Sequence, residues 1–204
     1  MESVLNFLIM RLPDSTLGYV GHIGFGLIGG MFFASFFEYF VHRYIMHKGF
    51  SLFGGKPVFY AQHHNHAALH HGTFYKQFDH EDDPTGREIS IVFTPEEIVA
   101  FQLAFLPVEI LIAVFSPVVA ICFSVMAILH NLLWNTIHRQ MHQPAPHAWA
   151  NWALYRFYAR YHFLHHRHTG TNFNVVLPFA DFVLGTNANA MPDDLAEMKR
   201  LKYL

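Results

Sequence analysis

The 204-residue chain has one cysteine, Cys122, and this scarcity excludes an internal disulfide and any thiolate cluster as the basis of metal binding. Charge is also scarce. Only 14% of residues are charged and the formal net charge is -2, so no basic field exists for nucleic acid. The N-terminal stretch lacks the basic start and small-residue cleavage site of a secretory signal, and residues 1–14 read as mature sequence forming an interfacial helix. The short acidic run Asp79, Glu81, Asp82 and Asp83 reads as a solvated loop rather than a docking patch.

What the chain has in surplus is apolar surface and imidazole. Hydrophobic residues make up 52% and aromatic residues 17%, richer than a soluble domain of this size, and 17 histidines outnumber the 13 lysines and arginines. The length fits one domain, 1–204. Residues 16–41 are apolar except for His22, Ser35 and Glu38, and at ~1.5 Å per residue they exceed the ~30 Å hydrocarbon thickness of a bilayer. Further apolar stretches cover residues 98–115 and 117–137, separated by Ser116-Pro117, which breaks a helix and permits a tight reversal. Pro107 and Glu109 interrupt the second stretch, so a kink and an inward-facing carboxylate are expected there. The expected fold is an all-α integral membrane protein with three to four transmembrane helices and a helical cap. The fourth element, interfacial or re-entrant, falls in residues 144–204, where Trp149, Trp152, Tyr155, Tyr158 and Tyr161 suit the headgroup level.

Of the 13 lysines and arginines, 12 lie in residues 41–56, 76–87 and 139–202, with only Arg11 across the first span. The positive-inside rule therefore puts these segments in the cytoplasm, at a bacterial inner membrane or endoplasmic reticulum. Gly24 to Gly29 matches the GxGxxG dinucleotide fingerprint by letter, but no strand precedes it. Gly26 and Gly30 instead form a small-xxx-small pattern for close helix approach.

The histidines form four clusters on the lysine- and arginine-rich side: His42 and His47 as HxxxxH; His66, His70 and His71 as HxxxHH, with His63 and His64 just before; His138 and His142 as HxxxH; His162, His165 and His166 as HxxHH. On a helix, residues three or four apart share a face, which pairs His138 with His142, His66 with His70, and His162 with His165 and His166. The neighbour in each HH pair points about 100° away and can serve a second ion. Ten imidazoles then give two ions about five ligands each, more than the four of a structural zinc site and suited to an octahedral metal with an open position. Iron fits that description, and isolated protein can carry zinc by affinity order. His22 is expected to be structural, His130 to line a cavity or support the ligands, and His80, His147 and His168 to be exposed.

The chain resembles the fatty acid hydroxylase and sterol desaturase superfamily over residues 38–186, most closely at residues 42–47 and 162–166. The likeness continues through Asn172-Phe173-Asn174 and the segment from Pro178 to Thr186. Asn174 stands where the family commonly has glycine. The resemblance implies that His42, His47, His66, His70, His71, His138, His142, His162, His165 and His166 are ligands of two iron ions, with His63 or His64 as substitutes for His66. It implies oxygen-dependent hydroxylation of a C–H bond in a fatty acyl, sterol-like or similar hydrophobic substrate that enters sideways from the bilayer past Phe32, Phe33, Phe36, Phe37 and Phe40. Desaturation at the same centre is the nearest alternative, and a non-catalytic membrane metal- or haem-binding protein a distant one. No HPGG haem segment of the cytochrome b5 type and no flavin or nicotinamide site occurs in the sequence. Electrons are therefore expected from a separate partner, such as a reductase, ferredoxin or cytochrome b5.

Overall fold

A computed structural model describes residues 6, 9–51, 55, 57, 59–74, 78–79, 92–142 and 148–204, and every regular element among them is helical. Three helices are long and apolar enough to cross a membrane: Thr16–His47, Pro95–Phe115 and Pro117–Met141. The first consists of α1 (Thr16–Phe40) followed without a break by a π-helical segment, Val41–His47. A second π-helical segment, His64–His70, lies between α2 (Tyr60–His63) and α3 (His71–Phe74). The remaining helices are α4 (Pro95–Phe115), α5 (Pro117–Met141), α6 (Ala153–Arg167), α7 (Phe179–Leu184) and α8 (Pro192–Arg200). By its contacts the chain divides into two compact units, residues 1–34 with 93–132 and residues 35–92 with 133–204.

The first unit is apolar helix packed on apolar helix. Thr94 opens α4 with a capping box, its hydroxyl accepting the Glu97 N–H while the Glu97 carboxylate accepts the Thr94 N–H, and Pro95 occupies the first helical position. Pro107 lies inside α4, which runs on to Phe115. The expected break falls at Ser116, whose extended backbone (φ -155°) ends α4. Its hydroxyl accepts the Val119 N–H at 3.2 Å and so caps α5. His22 Nδ1 lies 2.9 Å from the same hydroxyl, which gives this histidine the structural role expected of it.

Gly26 and Gly30 face α5 directly. A methyl group on Gly26 would lie 2.7 Å from the Val119 carbonyl and 2.7 Å from Cys122 Cβ, and one on Gly30 would lie 2.9 Å from the Phe123 carbonyl. Gly21, Gly24 and Gly29 have open space instead. The glycine run is thus a helix-packing device, as its position in an apolar span requires. Phe33 fills the same interface, edge-on to Phe105 and tilted against Phe123.

The second unit is built around α6, whose 15 residues reach roughly 22 Å, short of a bilayer crossing. Trp152, Leu154 and Phe157 are exposed on it, while Tyr155, Tyr161 and its three histidines are buried. α8 starts at Pro192 with Asp194 accepting the Met191 N–H at 2.9 Å, and Tyr203 beyond it donates to the Met141 carbonyl at 3.1 Å. Between α6 and α7 the chain makes a close-packed loop, with Asn172 in the left-handed region (φ 54°) and its side chain bonded to the Tyr161 carbonyl and the Ala188 N–H. Asp79 of the expected solvated acidic run is paired with Arg200 at 2.8 Å, and Glu81, Asp82 and Asp83 lie outside the described residues.

Candidate metal centre

All ten histidines singled out in the sequence are brought together in the second unit, in two groups of five. The first holds His42, His47, His66, His71 and His165; the second holds His70, His138, His142, His162 and His166. Within each group the ligand atoms lie within 4.8 Å of one another. Nine of the ten rings are buried, and His47 is half-buried.

The helix type explains the partition. Where the backbone bonds i to i+5, residues five apart share a face. Lys48 N–H bonds the Arg43 carbonyl, and His71 N–H bonds the His66 carbonyl. The π-helical geometry therefore aligns His42 with His47 and His66 with His71, and both pairs belong to the first group. The second group contains two i, i+4 pairs on ordinary α-helix, His138 with His142 and His162 with His166.

This corrects two expected pairings. His66 and His70 serve different groups, because the intervening backbone is π-helical, and His165 leaves His162 for the first group, because it lies about 100° around α6 from His166. The expectation that adjacent histidines face different sites holds for both His70-His71 and His165-His166. The second cluster enters through His66. His63 turns its Nδ1 to the Met46 carbonyl at 2.9 Å, and His64 is exposed and stacked on Tyr60.

The ring nitrogens are arranged for a cation rather than for one another. In the second group Nε2 atoms form a chain, His70 to His166 at 3.1 Å, His166 to His162 at 3.1 Å and His162 to His142 at 3.1 Å. A neutral imidazole nitrogen either donates one hydrogen or accepts, so at most two of these three contacts are hydrogen bonds. In the first group His165 Nε2 lies 3.0 Å from His47 Nε2 and 3.1 Å from His71 Nε2, and His42 Nε2 lies 2.8 Å from His66 Nε2. Two nitrogens bound at right angles about 2.1 Å from one ion are about 3.0 Å apart, whereas tetrahedral edges are about 3.4 Å. The donor set therefore fits two ions of high coordination number.

The outer nitrogens settle the tautomer of several rings. His42 Nδ1–H donates to the Phe173 carbonyl, His165 Nδ1–H to the Thr171 carbonyl at 2.7 Å, and His142 Nδ1–H to the Phe78 carbonyl at 2.9 Å. Each such bond leaves Nε2 unprotonated and directed inward, the form that binds a metal. Burial, followed by repulsion from neighbouring histidines, holds His66, His70, His71, His162 and His166 well below the usual histidine pKa, and His142 likewise. His165 is lowered to about 4 by burial, opposed by its bond to Thr171. All seven are neutral at physiological pH.

The other histidines stay outside the groups. His130 is buried in the first unit, and neither group includes it. His168, expected to be exposed, is half-buried and bonded to Asp194 at 3.0 Å, because Asp194 caps the helix behind it. His80 and His147 lie outside the described residues. Glu109 is half-buried in α4, with one carboxylate oxygen closed off and without a hydrogen-bond partner among the described residues.

The carbonyls that orient the rings carry no signal in the amino-acid sequence, since every residue has one. It did contain Glu38, a carboxylate four residues before His42, and Asp181, and both prove to be buried and fully engaged. Asn174 is buried too, its amide donating to the Ser35 carbonyl at 2.8 Å and its side-chain oxygen accepting the Asp181 N–H at 3.2 Å. No family model, curated protein or solved structure matches the chain.

Proposed function

We propose that the chain is an integral membrane oxidoreductase that uses two histidine-held iron ions and dioxygen to hydroxylate a C–H bond of a lipid or similar hydrophobic substrate. The observation that carries this reading is the pair of five-histidine groups, each all-nitrogen, buried and split between adjacent residues of one helix. Five ligands to an octahedral ion leave one position for an exogenous molecule, and nitrogen-only donors suit iron as well as zinc. Three helices long and apolar enough to cross a membrane support a hydrophobic substrate for such a centre.

Held in these groups, two iron ions supply the reduction of dioxygen that converts R–H to R–OH, with two external electrons and two protons reducing the second oxygen atom to water. The chain's own residues do the rest. His42, His47, His66, His71 and His165 would hold one ion, and His70, His138, His142, His162 and His166 the other. The carbonyls of Phe78, Thr171 and Phe173 keep three of these rings in the binding tautomer. Phe74, Phe78 and Phe163 pack beside the second group and exclude water from it. The electrons come from a separate carrier, and the excess of lysine and arginine beside the histidine clusters supports a cytoplasmic position for them.

The test is anaerobic reconstitution with ferrous iron and metal counting, followed by a lipid comparison between cells expressing the wild type and His165→Ala. Two iron ions per chain and a product heavier by one oxygen, absent with the variant, support the proposal. A product lighter by two hydrogens would assign desaturation instead, and a variant that retained both ions and the product would refute the proposal.

A further inference from the structure

The loop between α6 and α7 does more than connect them. Two of its carbonyls, Thr171 and Phe173, accept the Nδ1–H of His165 and His42, both members of the first group. The same loop is gripped on its other side by two buried carboxylates. Asp181 at the start of α7 accepts the Phe173 N–H at 3.0 Å on one oxygen and the Asn174 N–H at 2.7 Å on the other, and is itself fixed by the Thr186 hydroxyl at 2.7 Å. Glu38, one turn before His42, accepts the Val175 N–H on one oxygen and the Asn174 side-chain amide at 3.1 Å on the other. Three consecutive backbone N–H groups, 173 to 175, are thus spent on carboxylates, while the carbonyl between them points to a candidate ligand.

Burial of two carboxylates is costly unless the bonds they accept repay the lost hydration. Asp181 is fully buried, and burial raises its pKa despite the donors arrayed around it. A chain needing only to close a short loop has cheaper means. The expense is understandable if the carbonyl positions themselves matter, because a peptide plane whose N–H is held cannot rotate its neighbour's carbonyl away.

Resting on the metal-centre reading above, we propose that Asp181 and Glu38 are positioning residues for the first histidine group: they clamp residues 173–175 so that the Phe173 carbonyl holds His42 with Nε2 unprotonated and facing inward before any ion arrives. The second group lies outside this clamp. Within that group His142 is oriented by the Phe78 carbonyl, which neither carboxylate grips. The two sites therefore respond differently to loss of Asp181.

The experiment uses the full-length protein in detergent, stripped with chelator and titrated with Co(II) as probe, reading the visible absorption of each equivalent. His165→Ala and His162→Ala mark which equivalent belongs to which group. Asp181→Ala is expected to weaken the equivalent lost in His165→Ala by roughly 10- to 100-fold, the usual range for partners that orient metal ligands, and to leave the other unchanged. Asp181→Asn and Glu38→Gln keep part of the grip and should recover part of the affinity. If Asp181→Ala does not fold, Asp181→Asn and Thr186→Val, each removing a bond or a charge, are read in the same way. Unaltered binding of both equivalents in a folded variant, or equal weakening of both, overturns the proposal.

A second readout separates it from the metal reading. Nitrogen NMR of histidine-labelled, metal-free protein should show His42 as the Nδ1–H tautomer in the wild type and as a mixture in Asp181→Ala. If the wild type takes up no cobalt, the metal reading fails, and the His42 tautomer still decides the clamp. An unchanged tautomer in the variant overturns it.

Discussion

Acid should unfold the metal-free protein from within. Seven of the ten rings lie outside the candidate spans, all are held neutral by burial, and six of the seven are well below the usual histidine pKa while His165 is at about 4. In the unfolded chain they titrate near 6.5, so below that pH the unfolded state binds more protons than the native state and stability falls with pH. From pH 6.5 to 5.5 each ring that stays neutral costs about 1 kcal/mol, and seven together on the order of 7 kcal/mol, comparable with the 5–15 kcal/mol of a whole domain. The folded protein has little room to absorb the protons. With Nε2 atoms about 3 Å apart, a second charge in one group meets the first with about 5.5 kcal/mol of repulsion even at an effective dielectric of 20. Thermal denaturation of chelator-stripped protein in detergent, followed from pH 8 to pH 5.5, should show a midpoint flat above about pH 7 and dropping steeply below 6.5. Bound metal should raise the midpoint at neutral pH and lose that advantage in acid as protons compete for the same nitrogens. A stripped protein whose midpoint is level or rises on acidification from pH 7 would refute the reasoning, since its histidines would then be charged or exposed.

Three more outcomes follow from particular contacts. His70→Ala and His71→Ala, one residue apart, should each lower the metal content from two ions towards one, and metal binding in the double variant should be lost, as counted after reconstitution. Gly30→Ala forces a methyl group to 2.9 Å from the Phe123 carbonyl and should cost about 1–3 kcal/mol of stability in detergent, whereas Gly29→Ala meets nothing and should be close to neutral. Arg200→Ala removes contacts to Asp79 and Glu197 that lie half in solvent, so the melting midpoint should change by no more than about 1 kcal/mol equivalent, and less in high salt.

The spans were legible because a bilayer demands long apolar runs, and the break at Ser116-Pro117 was legible because proline cannot continue a helix from an extended residue. Hydropathy did not show that the first helix continues to His47, since His42 and His47 join a histidine group rather than facing water. The ten histidines could be read from their clusters together with the resemblance, with His63 and His64 open beside His66. Their grouping could not, because spacing was converted to faces at the α-helical period, and the segments Val41–His47 and His64–His70 follow a wider one. The HxxxxH spacing of His42 and His47 held a hint of this, as five residues on an α-helix would set the two rings far apart. Thr171, Phe173 and Phe78 act through backbone oxygen, which no side-chain pattern reveals. Asp181 and Glu38 were visible as carboxylates in apolar or closing segments, but what they hold depends on a fold that brings residue 38 to residue 175.

Histidines 70 and 71, and again 165 and 166, deliver neighbouring rings to separate groups. Adjacent α-carbons are fixed 3.8 Å apart by a rigid amide, so each doublet ties one ring of one nest of nitrogen to one ring of the other. An insertion or deletion of one residue beside either doublet would put both nests out of step at once.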